Sequence, residues 1–127
     1  MIGYVTLGTN EFERAAAFYD ALLSGLGAKR LFTTERSIHW GKRPGVGMLA
    51  VYKPYDGQPA TAGNGVMVAI GVRGREQVEA MHARALGLGA SDEGAPGSRG
   101  EGFYGAYFRD LDGNKLCVFT HEQAAGQ

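Results

Sequence analysis

The sequence predicts an α+β fold made of two similar modules, each with a strand, a helix and three further strands. Two near-repeats carry this prediction. Leu26-Gly27-Ala28 recurs as Leu88-Gly89-Ala90, and the strand-like run 49–52 recurs at 116–119. We expect the two modules to form a mixed sheet cupped around a cleft. They cover about residues 1–56 and 63–121 of a single domain, 1–127.

Composition narrows the possible partners. The chain has 13 Lys and Arg against 13 Asp and Glu, a formal net charge of +0 and no basic run, so no nucleic-acid partner is expected. No apolar stretch reaches the length of a membrane span and no leader-like segment opens the sequence, so we expect a cytoplasmic protein without a membrane partner. The single Cys excludes an internal disulfide and a multi-Cys zinc site.

The first module begins with a strand at Ile2–Gly8, in which Val5 and Leu7 form the apolar face. Asn10 followed by Glu13 has the spacing of a capping box, so a helix is predicted to start there. The apolar residues that follow recur at helical spacing, and Gly25 with Gly27 is predicted to supply the left-handed residue that commonly ends a helix. Three short strands are predicted next, at Ala28–Thr33, Ser37–Trp40 and Gly47–Lys53.

The second module follows a Pro- and Gly-containing loop, Pro54–Asn64, and repeats the order of elements. A strand is predicted at Gly65–Val72 and then a helix, on which His82 is expected to lie at the solvated surface. The Gly-rich run Glu93–Phe103 is interpreted as a flexible crossing loop that can close over a ligand, with Arg99 as an anion contact. The last strands are predicted at Tyr104–Arg109 and Lys115–Thr120, joined by an Asp-Gly turn.

Alternation along the strands predicts which side chains face the cleft, because successive side chains of a strand point to opposite faces. The expected cleft positions carry large apolar or small groups and almost no charge, which favours an apolar or aromatic ligand. The ligand-binding candidates are Tyr4, Thr6, Trp40, Ala50, Tyr52, Met67, Ala69, Tyr107, Cys117 and Phe119.

Four segments carry a resemblance that covers nearly the whole chain: Ile2–Gly8, Phe18–Leu23, Gly63–Ala69 and Tyr107–Lys115, the last with an Arg-Asp-x-Asp-Gly-Asn run. With these segments the chain resembles the vicinal oxygen chelate superfamily, which includes glyoxalase I, bleomycin and fosfomycin resistance proteins and extradiol dioxygenases. The resemblance implies the duplicated fold and a homodimer, and unpaired sheet edges favour a homodimer as well. The Arg-Asp-x-Asp-Gly-Asn run is diagnostic of the fold and carries no information about the reaction.

The resemblance also implies where metal-dependent members place their ligands. Those positions correspond here to Tyr4, Ala50, Met67 and Cys117, none of which is a His or a carboxylate. A catalytic divalent ion needs about three nitrogen or oxygen ligands, so no metal and no cofactor are predicted.

Two classes of function remain open. The first is a binding protein similar to the bleomycin resistance proteins, which holds a small molecule without a metal. The second is an enzyme: a lyase similar to lactoylglutathione lyase or a dioxygenase with unusual metal ligands, or a metal-free lyase or isomerase that uses Tyr4 with Arg109 or His39. Tyr4 is the candidate catalytic residue, because a phenol can bind a ligand oxygen or donate a proton. Cys117 is expected to be a small packed residue, and the three histidines to be structural or solvent-facing.

Overall fold

The computed structural model describes residues 1–122 of the chain, which form two four-stranded mixed sheets and two helices. This arrangement confirms the predicted α+β class and the order of elements in both halves. The first half contains β1 Tyr4–Gly8, α1 Phe12–Ser24, β2 Lys29–Thr33, β3 Ser37–Gly41 and β4 Met48–Tyr52. The second half contains β5 Val68–Gly71, α2 Arg75–Gly87, β6 Ser91–Ser98, β7 Phe103–Arg109 and β8 Lys115–His121.

The chain divides into two compact units, which we treat separately. The first unit comprises Met1–Asn64 and the turn Leu111–Asn114, and the second comprises Gly65–Asp110 and, of the described residues, 115–122. Neither helix in residues 1–122 is both long enough and apolar enough to cross a membrane.

The sheet of the first unit has the order β1-β4-β3-β2, with β1 parallel to β4 and the other pairs antiparallel. Helix α1 buries Phe18, Tyr19 and Leu22, and the Tyr19 ring lies 5.6 Å from the Trp40 ring of β3. Burial of each such large apolar side chain contributes about 1.5–3 kcal/mol relative to exposure. The core of this unit therefore lies on the helix side of the sheet.

The start of α1 differs from the predicted capping box. The N-cap residue is Glu11, and no side chain caps the helix. The Asn10 side chain instead binds the backbone of Ala60, accepting from its N–H at 2.7 Å and donating to its carbonyl at 3.1 Å. The spacing from Asn10 to Glu13 could not reveal this, because the competing partner lies 50 residues away in the sequence. Of the two glycines predicted to end the helix, Gly27 is left-handed, with φ +78°, whereas Gly25 keeps a helical backbone, with φ −64°.

The turn 111–114 is bound to the start of α1 within the first unit. The Asp112 carboxylate accepts hydrogen bonds from the Thr9 hydroxyl at 2.6 Å and from the Asn10 backbone N–H at 2.9 Å. The Asn114 side-chain amide donates to the Gly8 carbonyl at 2.9 Å. The Asp and Asn side chains of the Asp-Gly-Asn segment therefore hold backbone in place, which agrees with its interpretation as a fold-determining motif.

The sheet of the second unit has the order β5-β8-β7-β6 and is covered by α2. His82 of α2 is buried, contrary to the prediction of a solvated surface residue, and its Nε2 lies 3.1 Å from Asp92 Oδ1. The Gly-rich run was also predicted wrongly as a crossing loop, since Ser91–Ser98 forms β6 against β7. Glycine has low strand propensity, so the sequence signal was weak, and the ladder of β7 supplies the hydrogen bonds that order the segment.

Candidate functional site

The face of the first sheet opposite α1 carries a row of aligned residues. Strand register places Thr6 beside Ala50, Ala50 beside His39, and His39 beside Phe32. We call this surface the open face of the first unit, and Tyr4 and Tyr52 also lie on it. Because Trp40 points toward α1, its neighbour His39 must point to the open face.

Aromatic rings enclose the His39 imidazole on this face. Its ring centroid lies 4.8 Å from that of Tyr4, 5.5 Å from that of Tyr52 and 5.9 Å from that of Phe32, with interplanar angles of 70°, 78° and 89°. These are edge-to-face contacts, which aromatic quadrupoles favour. His39 is only 8% exposed, whereas Tyr4 is 50% exposed and Phe32 48% exposed. The cluster thus presents two half-exposed rings around a buried imidazole.

The polar atoms of His39 have unequal surroundings. Its Nε2 lies 3.3 Å from the Tyr52 hydroxyl, while its Nδ1 is buried and has no hydrogen-bond partner among residues 1–122. A neutral imidazole has one N–H donor and one bare nitrogen acceptor. We assign the hydrogen to Nε2, because this tautomer avoids a buried N–H without an acceptor. Tyr52 then accepts from His39, and its own O–H remains available to donate to a bound molecule.

A pocket of about 550 Å³ adjoins this cluster within the first unit. Its volume is in the range of small-molecule sites. The residues that bear on ligand binding are Tyr4, Thr6, Arg36, Tyr52, Tyr55 and Ala60. The Arg36 guanidinium lies 5.7 Å from the Tyr52 ring centroid and 5.3 Å from that of Tyr55, which is 92% exposed. The pocket therefore combines aromatic surface with two cations, Arg36 and Lys53, one carboxylate, Asp56, and several hydroxyl groups, among them the Tyr52 O–H.

Close packing fixes the wall of this pocket. A Cβ placed on Gly8 would lie 2.9 Å from the Ala60 Cβ, so only glycine allows the loop to approach β1. The Asn10 side chain holds the same loop through its two hydrogen bonds to Ala60. The pocket wall is therefore ordered by residues of the first unit itself.

Four of the predicted site residues lie on the open face: Tyr4, Thr6, Ala50 and Tyr52. Trp40 does not, because its side chain is 1% exposed and its indole N–H donates to Asp20 Oδ1 at 2.8 Å on the helix side. The Arg30 guanidinium, which hydrogen-bonds Asp20, holds the pKa of that carboxyl below its usual value, and the Trp40 N–H acts in the same direction. Trp40 is a core residue, which corrects its assignment as a cleft residue.

In the second unit, strand register aligns Ala69, Cys117 and Tyr107 on the sheet face opposite α2. Phe119 lies on the same face and stacks on Phe103, with ring centroids 5.1 Å apart and planes at 8°. Cys117 is fully buried, and burial raises the pKa of its thiol. Met67 precedes β5 and is 44% exposed.

Sequence reasoning missed Phe32 and Arg36 as site residues. Alternation places the neighbours His39 and Trp40 on opposite faces of β3, but a five-residue strand with neighbours of similar size did not show which of the two faces the cleft. Arg36 lies between β2 and β3, where no periodicity exists to orient a side chain. Only the contacts of Arg36 with Tyr52 and Tyr55 reveal its place.

The residues at the four positions where the resemblance implies metal ligands do not fit a divalent cation. They offer a phenol, a methyl group, a thioether and a thiol whose pKa is raised by burial, and hard cations prefer carboxylate and imidazole ligands. Across residues 1–122 no three His, Cys, Asp or Glu side chains converge in a ligand geometry.

Comparisons with known proteins agree with this fold. A family model described as a glyoxalase-like domain matches residues 4–119. A glyoxalase/bleomycin resistance protein from Albidiferax ferrireducens T118 is 34% identical over 96% of this chain and 99% of its own, with a TM-score of 0.87. Two further solved structures share the fold. One is a glyoxalase/bleomycin resistance protein/dioxygenase family enzyme from Burkholderia phytofirmans PsJN, 17% identical over 94% of this chain and 98% of its own, with a TM-score of 0.77. The other is a lactoylglutathione lyase from Agrobacterium tumefaciens, 20% identical over 94% of this chain and 92% of its own, with a TM-score of 0.66. No curated protein matches this chain in sequence.

Proposed function

We propose that this chain, which belongs to the glyoxalase-like domain family, binds a small aromatic or apolar molecule without a catalytic metal. The observation that carries the proposal is the cluster of Tyr4, Phe32 and Tyr52 around His39 on the open face of the first unit. A soluble domain gains little from leaving two rings half exposed around a buried imidazole. A planar ligand that covers them gains about 0.5–1.5 kcal/mol per aromatic contact beyond the area it buries.

The polar groups of the pocket refine the kind of ligand. The free O–H of Tyr52 needs an acceptor, and the Arg36 guanidinium is a cation at the same wall of the pocket. A planar molecule with an oxygen acceptor at one edge satisfies both groups while its rings lie on Tyr4. We expect an aromatic carboxylate to bind more tightly than an aromatic molecule of similar size without an acceptor.

Ligand-observed NMR followed by calorimetric titration tests this proposal with two planar probes, 2-naphthoate and indole. Tyr4→Ala should weaken binding of both probes about three- to tenfold, the range expected for one lost aromatic contact. Tyr52→Phe should weaken only 2-naphthoate, because indole has no oxygen acceptor. Tyr104→Phe is the matched control, since its hydroxyl donates to Glu79 in the second unit.

Chelation tests the metal-free part of the proposal. Dialysis against EDTA should leave the affinity for 2-naphthoate and the thermal midpoint unchanged. Stoichiometric metal in the purified protein, lost together with binding on chelation, would contradict it. Binding of both probes with equal affinity to the wild type and Tyr4→Ala would contradict the proposed place of the site.

A second candidate function is metal-free proton transfer, which the His39–Tyr52 pair favours. Tyr52 can donate its proton to a bound molecule, and the His39 Nε2–H bonded to it stabilises the phenolate that remains, so the pair supplies the acid that an isomerase or lyase step requires. Tyr4, whose ring contacts His39, remains the predicted catalytic phenol. His39→Gln separates the two functions, because a binding protein would keep its affinity for a ligand whereas an enzyme would lose turnover.

Several sequence predictions enter the proposal unchanged. The second-unit residues Met67, Ala69, Tyr107, Cys117 and Phe119 remain predicted ligand contacts. We also propose that the protein is a cytoplasmic homodimer without a nucleic-acid partner and without a cofactor. Strands β2 and β6 each lie at the edge of a sheet and pair on one side only. The unpaired backbone groups on the other side favour association of two copies.

A further inference from the structure

Two cations converge on Tyr107 in the second unit, on the sheet face opposite α2. The Arg99 guanidinium carbon lies 5.3 Å from the centroid of the Tyr107 ring, and the Lys115 Nζ lies 5.6 Å from it. Each distance is within the range of a cation–π contact. Two positive charges near one ring repel each other, so their convergence is unfavourable unless something negative joins them.

Neither cation has a carboxylate partner in the part of the chain that the structure describes. One Arg99 N–H donates to the Ala95 carbonyl at 2.7 Å, which leaves other guanidinium donors free. By contrast, Arg109, which pairs in register with Lys115, is neutralised by Glu93 at 2.9 Å. Among the described residues, this face therefore carries one cation that a carboxylate neutralises, Arg109, and two that no carboxylate neutralises, Arg99 and Lys115.

Glycines make the room in which the Arg99 side chain lies. A Cβ on Gly97 would come within 2.8 Å of Arg99 Nη1, and one on Gly94 within 3.2 Å of Nη2 and 3.0 Å of Tyr107 Cδ2. The guanidinium is therefore seated in a space that any larger residue would fill. Such seating reduces the rotamer entropy lost when the guanidinium binds a ligand.

We propose that Arg99, Lys115 and Tyr107 form a binding site for a small oxyanion, a carboxylate or a phosphate group. Guanidinium offers a planar fork that matches both groups, and the Lys115 ammonium adds a second charge. An anion that contacts both cations offsets their mutual repulsion. The neighbouring stacked pair of Phe103 and Phe119 is apolar surface on the same face, so an anion attached to a ring gains a further contact. This site lies wholly in the second unit; it shares Tyr107 and Phe119 with the predicted ligand contacts, but it does not depend on the first-unit pocket proposed above.

NMR titration with inorganic phosphate and with phenyl phosphate, at constant ionic strength, tests the site. Both anions should shift the Arg99 Nε–H resonance and the Tyr107 ring resonances. Tighter binding of phenyl phosphate identifies the anion as part of an aromatic molecule, and equal binding identifies a free anion site. Arg99→Gln and Lys115→Gln should each weaken binding about tenfold, whereas Arg109→Gln should leave it within about twofold.

Gly97→Ala provides a test that preserves charge. The added methyl group shifts the Arg99 guanidinium but keeps its charge, so anion binding should weaken measurably but by less than in Arg99→Gln. Equal losses in Arg99→Gln and Arg109→Gln would show general charge attraction and overturn the proposal. Unchanged binding in Arg99→Gln with a lowered thermal midpoint would show that Arg99 only braces β6, which would overturn it as well.

Discussion

Replacing Asp112 with alanine should lower the free energy of unfolding by about 2–4 kcal/mol. The side chain is only 5% exposed and accepts two hydrogen bonds, from the Thr9 hydroxyl at 2.6 Å and from the Asn10 N–H at 2.9 Å. A hydrogen bond to a charged group contributes about 1.5–3 kcal/mol, and partial exposure of Asn10 reduces the sum. The Arg14 guanidinium, at 3.7 Å and half exposed, adds little.

Urea unfolding followed by the fluorescence of Trp40, the single tryptophan, measures this loss. Asp56→Ala is the control, because within residues 1–122 that carboxylate accepts a hydrogen bond from the exposed Gln58 N–H alone, so its loss should cost less than about 1 kcal/mol. Thr9→Val combined with Asp112→Ala should cost less than the two single changes added, because both remove the same hydrogen bond. A loss below about 1 kcal/mol for Asp112→Ala, or full additivity, would refute the assigned role of the turn.

Two further predictions concern pH and assembly. The pKa of Asp20 is lowered by its hydrogen bonds from Arg30, so the folded pKa lies below the unfolded one and the carboxylate stabilises the fold above its ordinary pKa of 3.8. The stability difference between the wild type and Asp20→Asn should be about 0.5–1 kcal/mol near pH 6, because the pair is partly exposed, and should vanish as pH falls through the folded pKa; a constant difference down to pH 2 would contradict this. Light scattering should give about twice the protomer mass of 13.5 kDa, and a mass of one protomer at micromolar concentration would argue against the dimer.

The fold was predictable where one face of a strand is buried. Val5 and Leu7 of β1 alternate with polar or aromatic residues, and this pattern placed Tyr4 and Thr6 on the correct face. Segment β6 could not be found in the same way, since its glycines and bulges leave neither propensity nor alternation. There the neighbouring strand determines the structure.

The site was predictable only in part, for a related reason. Periodicity assigns a residue to a face but does not show which side chains touch. The enclosure of His39 by three rings depends on register across strands separated in sequence, and the seating of Arg99 depends on two glycines that a sequence shows only as turn formers. The sequence therefore could not show the register between distant strands or the space that glycines leave for a neighbouring side chain.

The two units repeat one backbone row with different chemistry. Their aligned rows are Thr6, Ala50, His39 and Phe32 in the first unit, and Ala69, Cys117, Tyr107 and Gly94 in the second. The last position of each row decides what lies over the ring beside it. Phe32 packs its own ring against His39, whereas Gly94 leaves the space that the Arg99 guanidinium occupies over Tyr107. The equivalent position thus carries a ring in the first unit and leaves room for a guanidinium in the second, where Lys115 adds a further positive charge.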